Sequence, residues 1–223
     1  MKIIFDAGVL IGFSETCLLP LFKTLKENIG EFIVTKGVKA ECIDRVKNNM
    51  RFKLSAFRIQ DQLDNFVFKV EDGSEELDSK TKRILQLTNS LFTINNRPLK
   101  LVDFGEAESL AMLGLCKASC LAIEERTTRM IVENPHALLK ILKKKHHNRN
   151  ILFLEDKYLK FLEEIGNVKC IRSVDLIAYA YENRLLPSFM LEKEYIKSML
   201  YSLKFNGCSV SFNEIEDYLS SFE

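Results

Sequence analysis

The stretch Lys2–Phe13, KIIFDAGVLIGF, is the part of the sequence that most strongly indicates the fold. Lys2–Phe5 is a short run of β-branched and aromatic residues, which is typical of a buried parallel strand. It ends at Asp6, and an apolar helical stretch, Val9–Phe13, follows at once. Open α/β sheets bind ligands at the carboxyl ends of their strands, so Asp6 is a candidate metal ligand. The alternative is a structural Asp6 that caps the following helix.

The composition indicates a soluble globular protein, either one generous domain or a domain with an appended subdomain. The 223 residues carry a net charge of +1, so a role in nucleic-acid binding needs a local basic patch. We expect no signal peptide, because Asp6 interrupts the only early apolar run. We expect no membrane helix, because no stretch approaches the roughly 18 apolar residues that one needs. The six cysteines contain no C-x-x-C pair, so we predict reduced thiols and a cytoplasmic protein.

A second strand and helix supply a second carboxylate. Glu31–Thr35, EFIVT, reads as a strand, and Lys36–Lys47 reads as the helix that follows it. Glu41 lies within the first two turns of that helix, which in a right-handed β-α unit sit at the carboxyl edge of the sheet. Glu41 is therefore either a second site residue or an exposed acid on a charged helix.

The stretch Val102–Glu125, VDFGEAESLAMLGLCKASCLAIEE, contains further acids. Glu106–Cys116 is predicted to form a helix and Ser119–Ile123 the strand after it. The helix runs antiparallel to that strand, so its first turn lies at the strand's carboxyl end. Helical spacing does not choose between the two acids of that turn. The candidates from this stretch are Glu106, Glu108, Glu124 and Glu125.

Four carboxylates from separate segments thus converge on one edge of the predicted sheet: Asp6, Glu41, Glu106 and Glu124. Unpaired, they repel one another and raise at least one pKa, and a divalent cation relieves this repulsion. Oxygen ligands without Cys or His favour Mg²⁺ or Mn²⁺ over Zn²⁺. Such ions clamp phosphodiesters and generate hydroxide from bound water, which points to phosphodiester hydrolysis.

Basic residues lie close to these acids in the sequence. Arg45–Gln60 holds five basic residues, no acid and two phenylalanines, a mixture that either grips phosphates and stacks bases or forms a solvated helix. Arg126 and Arg129 either contact phosphate or pair with neighbouring acids. Lys140–Arg149 is a basic helix end or a second RNA contact. The predicted RNA-binding residues are Arg45, Lys47, Arg51, Lys53, Arg126 and Arg129.

The motifs IIFDAGVLIGF, GEAESLA and LAIEERTTR occur in an order that resembles the PIN-domain (PilT N-terminus) ribonucleases. The C-terminal stretches IRSVDLIAYAYENRLL and LKFNGCSVSFNEIEDYL are similar to the tail of prokaryotic members. We predict a three-layer α/β/α sandwich with a mainly parallel sheet of four or five strands. Residues 1–223 would form a single PIN-like domain, with an elaboration at 126–170 and a helical extension at 188–223.

The resemblance implies metal ligands at Asp6, Glu41, Glu106 and the acid that ends LAIEE, either Glu124 or Glu125. Glu106 is then preferred over Glu108. It also implies metal-dependent hydrolysis of RNA with Mg²⁺ or Mn²⁺. Dimers are common in that family and several members are toxins neutralised by an antitoxin. A homodimer and an antitoxin-like protein are therefore candidate partners.

Two residues depart from the family pattern. Gly8 stands where Ser or Thr is usual, and Glu124 stands where Asp is usual. Either change weakens metal binding if the geometry of the ion is strict, as it is for Mg²⁺. The alternative function is a catalytically degenerate module that binds RNA or a protein without cleaving. Asp175, near the start of a predicted helix at Val174–Glu182, is an additional candidate at the site.

Local signals predict the remaining boundaries. Ile151–Leu154 reads as a fourth strand and Asn95–Pro98 as a break. Ser173 is expected to cap the helix that follows it, and Ser211–Glu214 has the pattern of a capping box.

Overall fold

The computed structural model describes residues 1–71, 73–147 and 150–222, and its centre is a five-stranded parallel sheet. The order across this sheet is β3-β2-β1-β6-β8. The prediction of a mainly parallel sheet of four or five strands is confirmed. Arg149, at the end of the predicted basic stretch, lies outside the described residues. The strands are β1 (Lys2–Phe5), β2 (Glu31–Thr35), β3 (Lys69–Glu71), β4 (Phe92–Ile94), β5 (Arg97–Pro98), β6 (Cys120–Ala122), β7 (Ile151–Phe153) and β8 (Lys169–Ile171).

Helices flank the sheet. They are α1 (Ala7–Glu15), α2 (Leu21–Ile29), α3 (Lys36–Lys39), α4 (Lys53–Asp64), α5 (Glu75–Thr88), α6 (Phe104–Cys116), α7 (Arg126–Glu133), α8 (Pro135–Lys145), α9 (Glu155–Ile165), α10 (Ser173–Glu182), α11 (Lys193–Phe205) and α12 (Phe212–Ser221). A π-helix, Ala40–Asp44, continues α3, and a 3₁₀ turn, Ser188–Leu191, precedes α11. Pro135 begins α8 at its first turn, as its fixed φ angle favours.

Two hydrophobic cores lie on opposite faces of the sheet, because successive side chains of a strand point to opposite sides. In β1, Ile3 and Phe5 join one core and Ile4 joins the other. The first core contains a cluster of five buried phenylalanine rings, at positions 5, 13, 22, 32 and 68. The second is formed largely with α5, α6 and α9, which contact one another.

The register of the central strands brings their carboxyl ends together. Phe5 lies beside Val34 of β2 and Ala122 of β6. The backbone N–H of Asp6 then donates to the carbonyl of Ala122 at 2.9 Å. The residues that follow β1, β2 and β6 therefore share one edge of the sheet.

The structure corrects three local predictions. Asn95–Pro98 is not a simple break, because β4 and β5 form a hairpin around Asn95 and Asn96. The predicted strand at Ile151–Leu154 exists as β7, but it pairs antiparallel with β4 in a separate small sheet. The predicted helix at Lys36–Lys47 is α3 followed by the π-helix, which ends at Asp44.

The C-terminal part agrees with the prediction except at one cap. Ser211 and Glu214 form the expected capping box of α12. Ser173 was the wrong cap for α10, because the helix already begins there and Asp175 accepts the N–H of Arg172 at 2.7 Å. Every cysteine is a free thiol, as predicted. Within the described ranges, the structure contains no helix with both the length and the apolar character needed to span a bilayer.

Candidate functional site

Asp6 occupies the position between β1 and α1 that the sequence predicts. Its Oδ2 accepts the backbone N–H of Gly8 at 3.4 Å, so the capping alternative is correct. Its Oδ1 accepts the Ser109 hydroxyl of α6 at 3.4 Å. Burial raises the pKa of Asp6 to about 6, the Gly8 N–H opposes the rise, and the charge of Glu41 adds to it. The same carboxylate thus caps a helix and faces other acids.

The N-terminus of α6 supplies two carboxylates, Glu106 and Asp103. They form a capping box, in which the N–H of Glu106 donates to Asp103 Oδ1 at 2.9 Å and the N–H of Asp103 donates to Glu106 Oε2 at 2.8 Å. Burial raises the pKa of Glu106 to about 7 despite the Asp103 N–H, with the charges of Asp103 and Asp6 adding to the rise. Asp103 was not among the predicted site residues.

Glu41 reaches the same group from the π-helix. Burial is the main cause of its raised pKa, Asp103 contributes further, and Arg45 opposes the shift. Glu41 Oε2 and Asp103 Oδ1 each lie 3.6 Å from the point where a Cβ on Gly105 would stand. Gly105 therefore leaves the space between these two carboxylates open. Single-turn π-helices are rare and frequently mark functional sites.

We name this group the carboxylate cluster and define it as Asp6, Glu41, Asp103 and Glu106. The charges of Asp6, Glu41 and Asp103 each raise the pKa of at least one other member, and the pKa of Glu106 is raised by the charges of Asp103 and Asp6. The signal that would have found Asp103 is local. It stands three residues before Glu106, which is the spacing of a capping box at a helix start.

Glu108, the other acid left open by helical spacing, has a different role. It is buried, and it accepts the Thr35 hydroxyl and the N–H of Gly37. A side chain at Gly37 would collide with this carboxylate. Glu108 therefore fixes the connection between β2 and α3, the segment that carries Glu41.

Glu124 follows β6 as predicted, but its carboxylate is held by backbone donors. The side chain is buried, Oε1 accepts the N–H of Ser173 at 2.8 Å, and Oε2 accepts the N–H of Ser209 at 3.3 Å. Glu124 is not among the charges that shift the pKa of Asp6. Glu125 is exposed and caps α7 by accepting the N–H of Thr127 at 2.9 Å. The structure therefore places Glu124 beside Gly8 with both carboxylate oxygens in backbone hydrogen bonds, and it places Glu125 as an exposed helix cap.

The two departures from the PIN-like pattern lie side by side. A Cβ on Gly8 would stand 3.3 Å from Glu124 Cβ and 3.4 Å from Glu124 Cγ. A side chain at position 8 would therefore fit only if the stem of Glu124 moved by a few tenths of an ångström. The residues at positions 8 and 124 are therefore neighbours, and the size of one side chain limits the room for the other.

The remaining predicted residues surround this edge in different ways. Arg45 is close enough to Glu41 to lower its pKa. Arg51 and Lys53 lie over the rings of Phe52 and Phe57, at 5.2 and 5.8 Å from the ring centroids. Lys47 pairs at 3.8 Å with the neighbouring Asp44.

Arg126 and Arg129 line a cleft beside α7. Asp175, the additional candidate, accepts from Arg172 and from the Tyr218 hydroxyl, so its oxygens serve the C-terminal helices.

The donor chemistry of the carboxylate cluster fits a hard divalent cation, because all of its ligand atoms are carboxylate oxygens. In the described part of the chain, no group of three or more His, Cys, Asp or Glu residues is already arranged as a metal-binding shell. The cluster is therefore a region of mutually repelling acids. The pKa values of Asp6 and Glu106 are raised mainly by burial, and the charges of neighbouring carboxylates add to the rise.

Comparison with family models, with curated proteins and with solved structures gives no match.

Proposed function

We propose that this protein is a metal-dependent ribonuclease of the PIN-like type, with the carboxylate cluster as its active centre. The observation that carries the proposal is the meeting of four carboxylates from three separate segments at one sheet edge, with the pKa of Asp6 near 6 and that of Glu106 near 7. Perturbed acids in such a group mark functional sites more often than structural ones.

Asp6, Glu41, Asp103 and Glu106 would hold Mg²⁺ or Mn²⁺. A bound ion of this kind polarises the phosphoryl oxygen and lowers the pKa of its water. The chain's own contribution is to present oxygen ligands from rigid elements: Asp6 is fixed by the Gly8 N–H and the Ser109 hydroxyl, and Glu106 by the Asp103 N–H. Because burial raises the pKa of Asp6 and Glu106, protons compete with the ion for these two ligands as the pH falls.

Nearby cations and aromatic rings support RNA as the substrate. From the end of the π-helix into α4, basic side chains are interleaved with exposed apolar ones, including Met50, Phe52 and Phe57. Basic side chains track a phosphate backbone, and exposed rings stack on unpaired bases. This favours a single-stranded region as the substrate. The homodimer and the antitoxin-like partner stay predictions from the resemblance.

Cleavage of a labelled single-stranded RNA tests the proposal. Wild type, Asp6→Asn and Glu106→Gln are compared in Mn²⁺, Mg²⁺ and EDTA, with the exposed Glu76→Gln of α5 as a charge-matched control. We expect metal-dependent cutting that falls about 100-fold or more in both site variants and stays unchanged in the control. Absence of cutting by wild type, or equal cutting by all variants, would contradict the proposal.

A second function is favoured by one observation, the engagement of both Glu124 oxygens by backbone N–H groups. If the acid after β6 is needed for chemistry, the protein binds RNA or a partner without cleaving it. The RNA cleavage assay, together with RNA binding in EDTA, distinguishes the two functions. A degenerate module retains salt-dependent RNA binding in EDTA and shows no cleavage in either metal.

A further inference from the structure

A polar cleft of about 420 Å³ lies beside α7, outside the carboxylate cluster. One wall consists of two arginines of α7, and the other is the segment that leads into α12. The lining residues are Arg126, Arg129, Ser209, Val210, Ser211 and Glu214. Val210 is the only apolar side chain among them, so the cleft suits a charged group better than a base ring.

The two arginines of this cleft form no ion pair with other described residues. Among the described residues, neither Arg126 nor Arg129 has an ion-pair or hydrogen-bond partner, and Arg129 Nε is a buried donor without an acceptor. The acid in the lining is already occupied, because Glu214 accepts from Arg172 Nη1 at 2.8 Å and from the N–H of Ser211 at 2.8 Å. Among the described residues, the two guanidinium groups therefore line the cleft without an ion-pair partner. A buried donor left unpaired is unfavourable, and a ligand oxygen would satisfy it.

The cleft is next to the carboxylate cluster across α7. Thr128, on another side of that helix, is buried and lies near enough to Glu106 to lower its pKa. From the opposite wall, the N–H of Ser209 donates to Glu124, whose stem contacts Gly8 beside Asp6. The helix that carries the two arginines therefore also carries Thr128, the neighbour of Glu106.

We propose that this cleft binds a backbone phosphate of the RNA strand, one that flanks the phosphodiester held at the carboxylate cluster. The Arg126 and Arg129 guanidinium groups donate to its non-bridging oxygens, a contact that the planar fork of Arg makes well. The proposal rests on the proposed function for its ligand. It does not require that the bond be cleaved.

The test measures binding separately from chemistry. A fluorescently labelled 12-nucleotide single-stranded RNA is titrated with protein in EDTA at several salt concentrations, followed by anisotropy. The variants are Arg126→Gln, Arg129→Gln and Arg129→Lys, with Arg97→Gln as the control, an exposed arginine of the small sheet. Melting temperatures verify that each variant is folded. A second arm adds inorganic phosphate at constant ionic strength.

We expect each Gln variant to bind about 10-fold more weakly and to reduce the magnitude of the salt slope by about 0.7, the value for one single-strand phosphate contact. Arg129→Lys should keep the slope and lose part of the affinity, because it keeps the charge and loses the fork. Arg97→Gln should match wild type. Equal affinities in all variants would overturn the proposal, and so would displacement of the RNA by submillimolar phosphate, which would indicate a small-anion site.

Failure of this proposal is distinguishable from failure of the proposed function. If wild type cleaves RNA and the arginine variants keep its KM, the nuclease stands and the cleft proposal falls. If wild type binds RNA through the arginines and does not cleave it, the cleft proposal stands and the nuclease falls.

Discussion

Asp6 and Glu124 follow neighbouring strands at the same edge of the sheet, and their surroundings are opposite. Glu124 has a backbone N–H on each carboxylate oxygen, from Ser173 and Ser209. Asp6 has weaker donors at 3.4 Å and faces the charges of Glu41 and Asp103, so its pKa is about 6. A place at the edge of the sheet therefore does not by itself make an acid a metal ligand. The donors around it decide whether it holds the fold together or stays available to a cation.

The largest expected effect is loss of stability at Glu124. Glu124→Ala removes the acceptor of two backbone N–H groups and should lower the free energy of unfolding by about 2–5 kcal/mol, because buried donors are left unpaired. Urea denaturation measures this. Glu125→Ala is the matched control, since it removes one exposed cap and should lose about 1 kcal/mol. If both variants lost the same free energy of unfolding, Glu124 would be no more important to the fold than an exposed surface acid.

At Asp6 we expect a substitution to raise the free energy of unfolding rather than lower it. Its pKa in the folded protein is about 6 and its ordinary value is 3.8, so the folded state binds the proton more tightly than the unfolded state. The stability of wild type should therefore fall as the pH rises from about 4 to about 6 and stay lower above that. Asp6→Asn, which can still cap α1, should gain about 1–2 kcal/mol at pH 8 in EDTA.

This gain should shrink as the pH is lowered toward 4, because Asp6 is then protonated in the folded state. Melting temperatures in EDTA across that range measure the effect. Asp217→Asn, at an exposed position of α12, is the control for loss of one negative charge. A gain at Asp217 equal to that at Asp6, or a gain at Asp6 that does not change with pH, would show that Asp6 is not a repelled carboxylate.

The smallest effect concerns the space between Glu41 and Asp103. Gly105→Ala places a methyl group 3.6 Å from a carboxylate oxygen of each, an ordinary contact that the fold accommodates. Replacing a helical glycine by alanine should stabilise the protein by about 0.5–1 kcal/mol. The new methyl group lies between the two carboxylates, so Mn²⁺ should raise the melting temperature of this variant less than that of wild type. Gly12→Ala in α1, with its new Cβ 3.7 Å from Ser173 Oγ, should give the same gain without affecting the response to Mn²⁺. Identical Mn²⁺ responses in the two variants would argue against ion binding at this place.

Much of the fold is predictable because its signals are local. The β-branched and aromatic run of β1 and the turn at Asp6 lie within a few residues of one another. β3, β4 and β5 were not predicted; each has two or three residues and is defined by its pairing with another strand. The antiparallel pairing of β7 with β4 joins residues more than fifty positions apart, which no local pattern encodes.

The site was predictable to the extent that capping and strand order decide it. Asp6 and Glu41 were predicted from their positions after strands and near a helix start, whereas Glu106 was preferred over Glu108 only by the family resemblance. Asp103 had the capping-box spacing that would have revealed it. The role of Glu124 could not be predicted, because its donors lie 49 and 85 residues away in the sequence. Side-chain orientation at the sheet edge depends on those distant partners.

The most direct test of the carboxylate cluster is calorimetric titration of Mn²⁺ into wild type, Asp103→Asn and Glu125→Gln. Asn retains the ability to cap α6, so Asp103→Asn removes a charge from the cluster while keeping the helix start. The account predicts that wild type binds Mn²⁺, that Asp103→Asn binds it about 10-fold or more weakly, and that Glu125→Gln binds it like wild type. Absence of binding in wild type, or equal affinity in wild type and Asp103→Asn, would contradict the central claim.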